Sequence, residues 1–198
     1  MSKYIFTSES VSEGHPDKVC DAISDAILDN LLEQDPESHV ACETLATTGT
    51  VIVSGEVRSN GDVDVEKIVK NTLGEIGYTN KAYGMDNNEV NVISMLDEQS
   101  PEIAQGVDEG SGLHDEQGAG DQGLMFGFAC NETKELMPLP ISLAHKLMQK
   151  HKTIRNINNK LWPDAKSQVS VQYSDNYEPE RISAIVFSAQ HCPSFDLN

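Results

Sequence analysis

The chain has 198 residues, with 14 Lys+Arg against 32 Asp+Glu and a formal net charge of -18. That balance excludes general DNA or RNA binding, which needs a basic face, and docking on anionic membranes. At 38% hydrophobic and 23% charged residues the composition is globular, and the length suits one large domain or two small ones.

No apolar run approaches the ~20 residues of a membrane-spanning helix, and Met1-Ser-Lys-Tyr-Ile-Phe has no signal-type pattern. Cys20, Cys42, Cys130 and Cys192 are widely spaced with no C-x-x-C pair, so zinc and dithiol chemistry are not indicated. They read as buried free thiols in a reducing cytosol.

The first predicted helix runs from Pro16 to Glu33. Val19, Ile23, Ala26, Ile27 and Leu31 follow the 3.6-residue period, and Pro16 suits the first turn. Two strand-like runs follow, 40–47 and 50–57. Thr48-Gly49 lies between them and Asn60-Gly61 closes the second, so the pair reads as a hairpin. A second helix, Val65 to Ile76, places Val65, Ile68, Val69, Leu73 and Ile76 on one face, and Asn91 to Leu96 reads as a short strand.

From Asp97 to Gly123 the regular pattern stops: there are eight acidic residues, six glycines and no Lys or Arg. Segments longer than about 12–15 residues without structure of their own are commonly lids or binding loops. The run Leu124–Cys130 is nearly all apolar and predicts a strand, and a helix is expected over 140–158. A further hairpin joins Gln168–Tyr173 to Ile182–Ala189. Helix then hairpin therefore occurs twice, and helices packed on antiparallel strands give an α+β architecture.

Four segments carry candidate chemistry. The first, Glu9 to Lys18, enters the first helix through Gly14-His15-Pro16-Asp17. A helix N-terminus attracts phosphates, His15 suits contact with a leaving oxygen, and Asp17 suits Mg²⁺, which binds few carboxylates. The same residues also serve as a first-turn acid, a cap and a solvated lysine. The second, Gly118-Ala-Gly-Asp121-Gln-Gly123, is neither a P-loop nor a dinucleotide fingerprint, because it precedes a strand rather than a helix. Asp121 there can accept from a ligand amine or hydroxyl. The third is a pair of strand glutamates. By alternation Glu43 shares a face with Ala41 and Leu45, while Glu56 shares one with Ser54 and Arg58. Glu43 is therefore the expected buried ion ligand and Glu56 the solvated one. The fourth is Trp162-Pro-Asp164-Ala165-Lys166, where Lys166 sits at a strand entry, placed either for a phosphate or for solvent. His39, His114, His145, His151 and His191 show no metal-ligand spacing and read as surface or core histidines.

Together these segments resemble the S-adenosylmethionine synthetase (methionine adenosyltransferase) family, in its N-terminal part. The resemblance runs from Phe6 through Gly14-His15-Pro16-Asp17-Lys18 to Ala26, then Ala41-Cys-Glu-Thr, Gln99-Ser-Pro-Glu-Ile-Ala-Gln-Gly-Val, Gly118–Gly127, Asp164-Ala-Lys-Ser-Gln-Val and Gln190-His191. It departs at Phe128, where the family commonly has Tyr. It also stops at Asn198, whereas family members are about twice this length, with three similar domains.

The resemblance implies attack of methionine sulfur on C5′ of ATP, with phosphate and pyrophosphate as the other products. It implies His15 at the breaking bond and Lys166 at the phosphates as catalytic groups, with Asp164 and Ala165 also contacting ATP. Glu56, Gln99 and Asp121 become methionine contacts, Asp121 holding the methionine amino group or else the nucleoside, and Asp17 and Glu9 become ligands of Mg²⁺, two ions per site. Glu43 becomes a K⁺ ligand. The stretch Gln99-Ser100-Pro101-Glu102-Ile103-Ala104-Gln105-Gly106-Val107-Asp108-Glu109 becomes a mobile loop over the site.

It implies further a homo-oligomer, dimer or tetramer, with the site between subunits. The expected division is an N-terminal domain over 1–98, the loop over 99–117 and an incomplete central domain over 118–198, with the C-terminal domain absent. That is about one and two-thirds repeat units. The alternative is an inactive or regulatory chain that associates with a full-length subunit.

Overall fold

The computed structural model describes residues 4–99 and 123–195. In chain order it contains β1 (Tyr4–Val11), α1 (Pro16–Gln34), β2 (His39–Thr47), β3 (Thr50–Arg58) and α2 (Val65–Ile76). A short pair β4 (Thr79–Asn80) and β5 (Met85–Asp86) follows, then β6 (Asn91–Glu98), α3 (Leu139–Arg155), β7 (Leu161–Tyr173) and β8 (Pro179–His191). The class is α+β, as the residue periods indicate.

In α1, Val19, Ile23, Ile27 and Leu31 recur every fourth residue and are all but fully buried. Pro16 opens the helix, and His15 caps it from extended backbone, its Nδ1 accepting from the Asp17 N–H at 3.2 Å. In α2, Asp64 Oδ1 accepts from the Lys67 N–H at 3.0 Å, and Gly77 at φ 105° ends the helix while the Tyr78 N–H returns to the Leu73 carbonyl.

The first sheet has the order β2–β3–β6. β2 and β3 form the expected hairpin, Thr47 opposite Thr50, with Gly49 at φ 68° in the turn. β6 joins β3 in parallel, which the residue pattern did not indicate; α2 supplies the crossover that a parallel pair requires. Val51 and Val53 of β3 are fully buried beneath Ile23 and Ile27 of α1 and Val69 and Leu73 of α2, in the larger of two cores. The second sheet has the order β1–β7–β8, all antiparallel. α3 packs on it through Ala144 against Val169, Val171 and Tyr173.

Two corrections concern elements. The apolar run 124–130 is not a strand: its backbone is irregular and Leu124, Met125, Phe126 and Phe128 are exposed, and among the described residues no sheet edge pairs with it. Conversely Tyr4–Val11, not singled out in the sequence, is a full strand, because β7 offers it a register from Tyr4–Tyr173 to Val11–Lys166. The four cysteines are unpaired thiols, as expected, but each is partly exposed rather than buried.

Candidate functional site

The loop between β1 and α1 is locked onto the start of β7. The Ser12 N–H donates to the Ala165 carbonyl at 2.9 Å, and the Ala165 N–H donates back to Ser12 Oγ at 2.8 Å. Ser12 Oγ also donates to the Pro163 carbonyl at 2.7 Å. The buried Tyr78 hydroxyl donates to the Gly14 carbonyl, and a side chain at Gly14 would overlap Pro163. Glu13 is clamped by Lys152 and Arg155 at the end of α3. Every one of these contacts joins residues far apart in sequence, so the loop's path is fixed by tertiary contacts rather than by its own propensity.

The lock brings His15 beside Asp164. The His15 side chain is 25% exposed, and Asp164 is half-buried. Burial pushes the Asp164 carboxyl above the usual carboxylate range, and His15 pulls it partly back. Because the folded-state value is raised, the stability tied to this group is complete below the unfolded pKa, about 3.9. It is lost as pH rises through the raised value. Asp164→Asn should therefore gain stability over the native chain as pH rises above about 4. Urea midpoints measured across that range check this; a difference constant with pH would contradict it.

Two residues beyond Asp164 on β7, Lys166 forms an ion pair with Glu9 at 2.6 Å on the face of the second sheet turned away from α3. Gln168 Nε2 donates to the same carboxylate at 2.8 Å. These two donors hold the Glu9 carboxyl below its ordinary range. Both side chains are nearly half exposed, so the pair adds little to stability. Its consequence is positional: Glu9 occupies the place an anionic ligand of Lys166 would take. The Asp17 carboxylate, 82% exposed, lies 3.7 Å from His15 Nδ1.

The strand glutamates come out differently from expectation. Glu43 does share a face with Ala41 and Leu45, but that face is exposed. α1 covers the opposite one, where Ser24 Oγ and Thr44 Oγ1 lie 2.8 Å apart. Register then puts Glu56 on the same exposed face as Glu43, since Ala41 faces Glu56 and Glu43 faces Ser54. Asp97 of β6 stands opposite Glu56, and like charges so placed repel unless a cation lies between them. Gln99 follows β6, its N–H donating to the Val57 carbonyl at 3.1 Å, and its buried Oε1 has no partner.

The structure thus assembles His15, Asp17, Asp164, Ala165, Lys166 and Glu9 around one loop. It gathers Glu43, Glu56 and Gln99 on the other sheet. Asp121 and Ser100–Glu109 lie outside the described residues. Ser12, Tyr78 and Gln168 were missed by sequence reasoning; only the glycine stop at Gly77, which turns Tyr78 inward, left a readable trace. Among the described residues no three His, Cys, Asp or Glu side chains are grouped to hold a metal by themselves. A lone carboxylate such as Asp17 still suits Mg²⁺, which takes one or two carboxylates and completes its shell with water and substrate phosphates.

Comparison with known proteins agrees along nearly the whole chain. The family profile described as S-adenosylmethionine synthetase, N-terminal domain matches residues 3–101. The profile for the central domain of the same family matches residues 116–198. An S-adenosylmethionine synthase of Desulfosudis oleivorans is 56% identical over 192 residues, covering 96% of this chain and 49% of that protein. One of Sorangium cellulosum is 54% identical over 195 residues, covering 98% of this chain and 46% of its own length. The chain spans about half the length of the curated relatives it matches.

Proposed function

The chain belongs to the S-adenosylmethionine synthetase family, and from that premise we propose that it supplies the ATP-facing part of a methionine adenosyltransferase site. The observation that carries this reading is the docking of the His15 loop on Asp164–Lys166 through Ser12, across 153 residues of sequence.

In the proposed reaction a lone pair of the methionine sulfur forms the S–C5′ bond of ATP as the C5′–O bond breaks. Triphosphate leaves and is then hydrolysed by water to phosphate and pyrophosphate. A neutral thioether is a modest nucleophile, so the site must hold it in line with C5′. Charge grows on the leaving oxygen, where fixed donors act most strongly. His15 contacts that oxygen and Lys166 the phosphates, exchanging Glu9 for the ligand. Asp164, raised by burial, and the Ala165 backbone line the nucleoside side.

Asp17 would hold Mg²⁺, and Glu9 a second ion once released from Lys166; bound Mg²⁺ supplies neutralisation of the triphosphate. Glu43 would contribute a carboxylate to K⁺. Glu56, Gln99 and Asp121 are proposed for methionine, and residues 99–109 as a loop over the site. We assign the domains as 1–98 and 118–198, joined by 99–117, with β1 crossing to pair with β7. A homo-oligomer with its sites between subunits is proposed from the exposed sheet face around Glu43, where Leu45 and Met95 are also exposed. Among the described residues no helix is long and apolar enough to cross a membrane, and we assign the protein to the cytoplasm.

The test is turnover. The chain is incubated with ATP, methionine, Mg²⁺ and K⁺, alone and co-expressed with the complementary half of the Desulfosudis synthase, and S-adenosylmethionine is measured. Product from the paired halves supports the reading. A pair that assembles but forms no product favours the non-catalytic alternative.

A further inference from the structure

Arg155 is the last residue of α3, and its side chain is only 12% exposed. The two ends of its guanidinium do different things. Nη2 pairs with Glu13 Oε1, two residues before His15. Nη1 stands over the end of α2: a methyl group added to Gly77 would lie 2.6 Å from it. Gly77, at φ 105°, is the C-cap of α2, whose last turn, Leu73-Gly74-Glu75-Ile76, holds no basic residue. A helix C-terminus carries partial negative charge and favours a cation there. Arg155 brings that cation from another helix, and it also serves the last turn of its own.

The end of α2 is in turn tied to the loop. Tyr78, next after Gly77, is 3% exposed, and its hydroxyl donates to the Gly14 carbonyl. That carbonyl belongs to the peptide that joins Gly14 to His15. Pro163 fills the space between, against Gly14 and within reach of a side chain at Gly77. One guanidinium is therefore connected to His15 along two short routes. One runs through Glu13, the other through Gly77 and Tyr78. They meet at Glu13 and Gly14, the residues that precede the ring. Lys152 also pairs with Glu13, but its side chain is 58% exposed, and exposed pairs are weak. A lysine at position 155 could serve one route only, because an ammonium is a point charge and a guanidinium is a rigid planar fork.

We propose that Arg155 is the positioning residue for His15. It touches no reacting atom. It fixes the loop on which His15 rides by holding α3, the end of α2 and Glu13 in one arrangement. The proposal rests on the reading of His15 as the group at the leaving oxygen. A misplacement of about 1 Å at such a contact can cost about 10²-fold in rate, so a rigid fork suits the task and a flexible stem does not. The loss should fall on kcat rather than on KM for ATP. The triphosphate contact of Lys166 lies on β7, outside both routes.

The test compares Arg155→Lys, Arg155→Met and Lys152→Met. In the chain alone, labelled in its histidine rings, both Arg155 variants should shift the His15 resonances, which are assigned by their loss in His15→Asn. Lys152→Met should leave them in place. In the chain paired with the complementary half of the Desulfosudis synthase, Arg155→Lys should lower kcat at least about tenfold. KM for ATP should change by less than about threefold, and Lys152→Met should keep kcat within about twofold. Unmoved His15 resonances in Arg155→Lys would overturn the proposal, as would an equal response in Lys152→Met. So would a lowered urea midpoint with kcat intact, which is what a purely structural clamp gives. If the native pair does not turn over, the catalytic reading of His15 fails, and the resonances still decide whether Arg155 places the ring.

Discussion

Gly14→Ala is expected to destabilise the chain by about 3 kcal/mol, the upper end of the usual cost of forcing atoms into a packed site. The added methyl group would overlap Pro163, and neither side can yield easily. The loop is tied by Ser12 to Pro163 and Ala165 and by Tyr78 to the Gly14 carbonyl, and Pro163 is itself fully buried. The informative control is Gly49→Ala. Gly49 has φ 68° but open space around it, so its cost is backbone strain alone, about 1–2 kcal/mol. Urea unfolding of both variants separates the two causes. Moreover, only Gly14→Ala should shift the His15 ring resonances, because only it displaces the loop from Asp164. If it unfolds no more easily than Gly49→Ala and leaves His15 unmoved, the close approach is not what fixes the loop.

His15→Ala should lower kcat of the paired halves by about 10²–10³-fold, the scale for removing a proton donor or a fixed charge-stabilising contact. It should also cost about 1 kcal/mol of stability, since the ring caps α1. The two roles can be separated. Asparagine at position 15 can accept from the Asp17 N–H as the imidazole does, so His15→Asn should recover the urea midpoint. Turnover should remain at least about tenfold down. Full recovery of both in His15→Asn would reduce His15 to a helix cap.

The helices were legible because their apolar residues recur at one period: Val19, Ile23, Ile27 and Leu31 name the buried stripe of α1 outright. The hairpins were legible from alternation and from turn residues such as Gly49. β1 was not, because Tyr-Ile-Phe-Thr-Ser-Glu-Ser-Val owes its strand to a partner some 160 residues later. Glu43 shows a different limit. Alternation correctly grouped it with Ala41 and Leu45, but which face is covered depends on where α1 lands, and α1 lands on Cys42, Thr44 and Ala46. The apolar run 124–130 misled for the same reason, since strand character needs a neighbouring strand as well as apolar residues. At the site, His15, Asp17, Asp164 and Lys166 were found as separate segments. Their convergence depends on Ser12 and Tyr78, whose roles exist only in three dimensions.

The central claim is that the loop carrying His15, docked on β7, forms the seat of a triphosphate. It is tested most directly by calorimetric titration of the paired halves with the non-hydrolysable β,γ-imido analogue of ATP in the presence of Mg²⁺. Removing one charge-assisted contact to phosphate costs about tenfold or more in affinity, so Lys166→Ala should weaken binding by at least that factor. Equal affinity in the native and Lys166→Ala proteins would contradict the assignment.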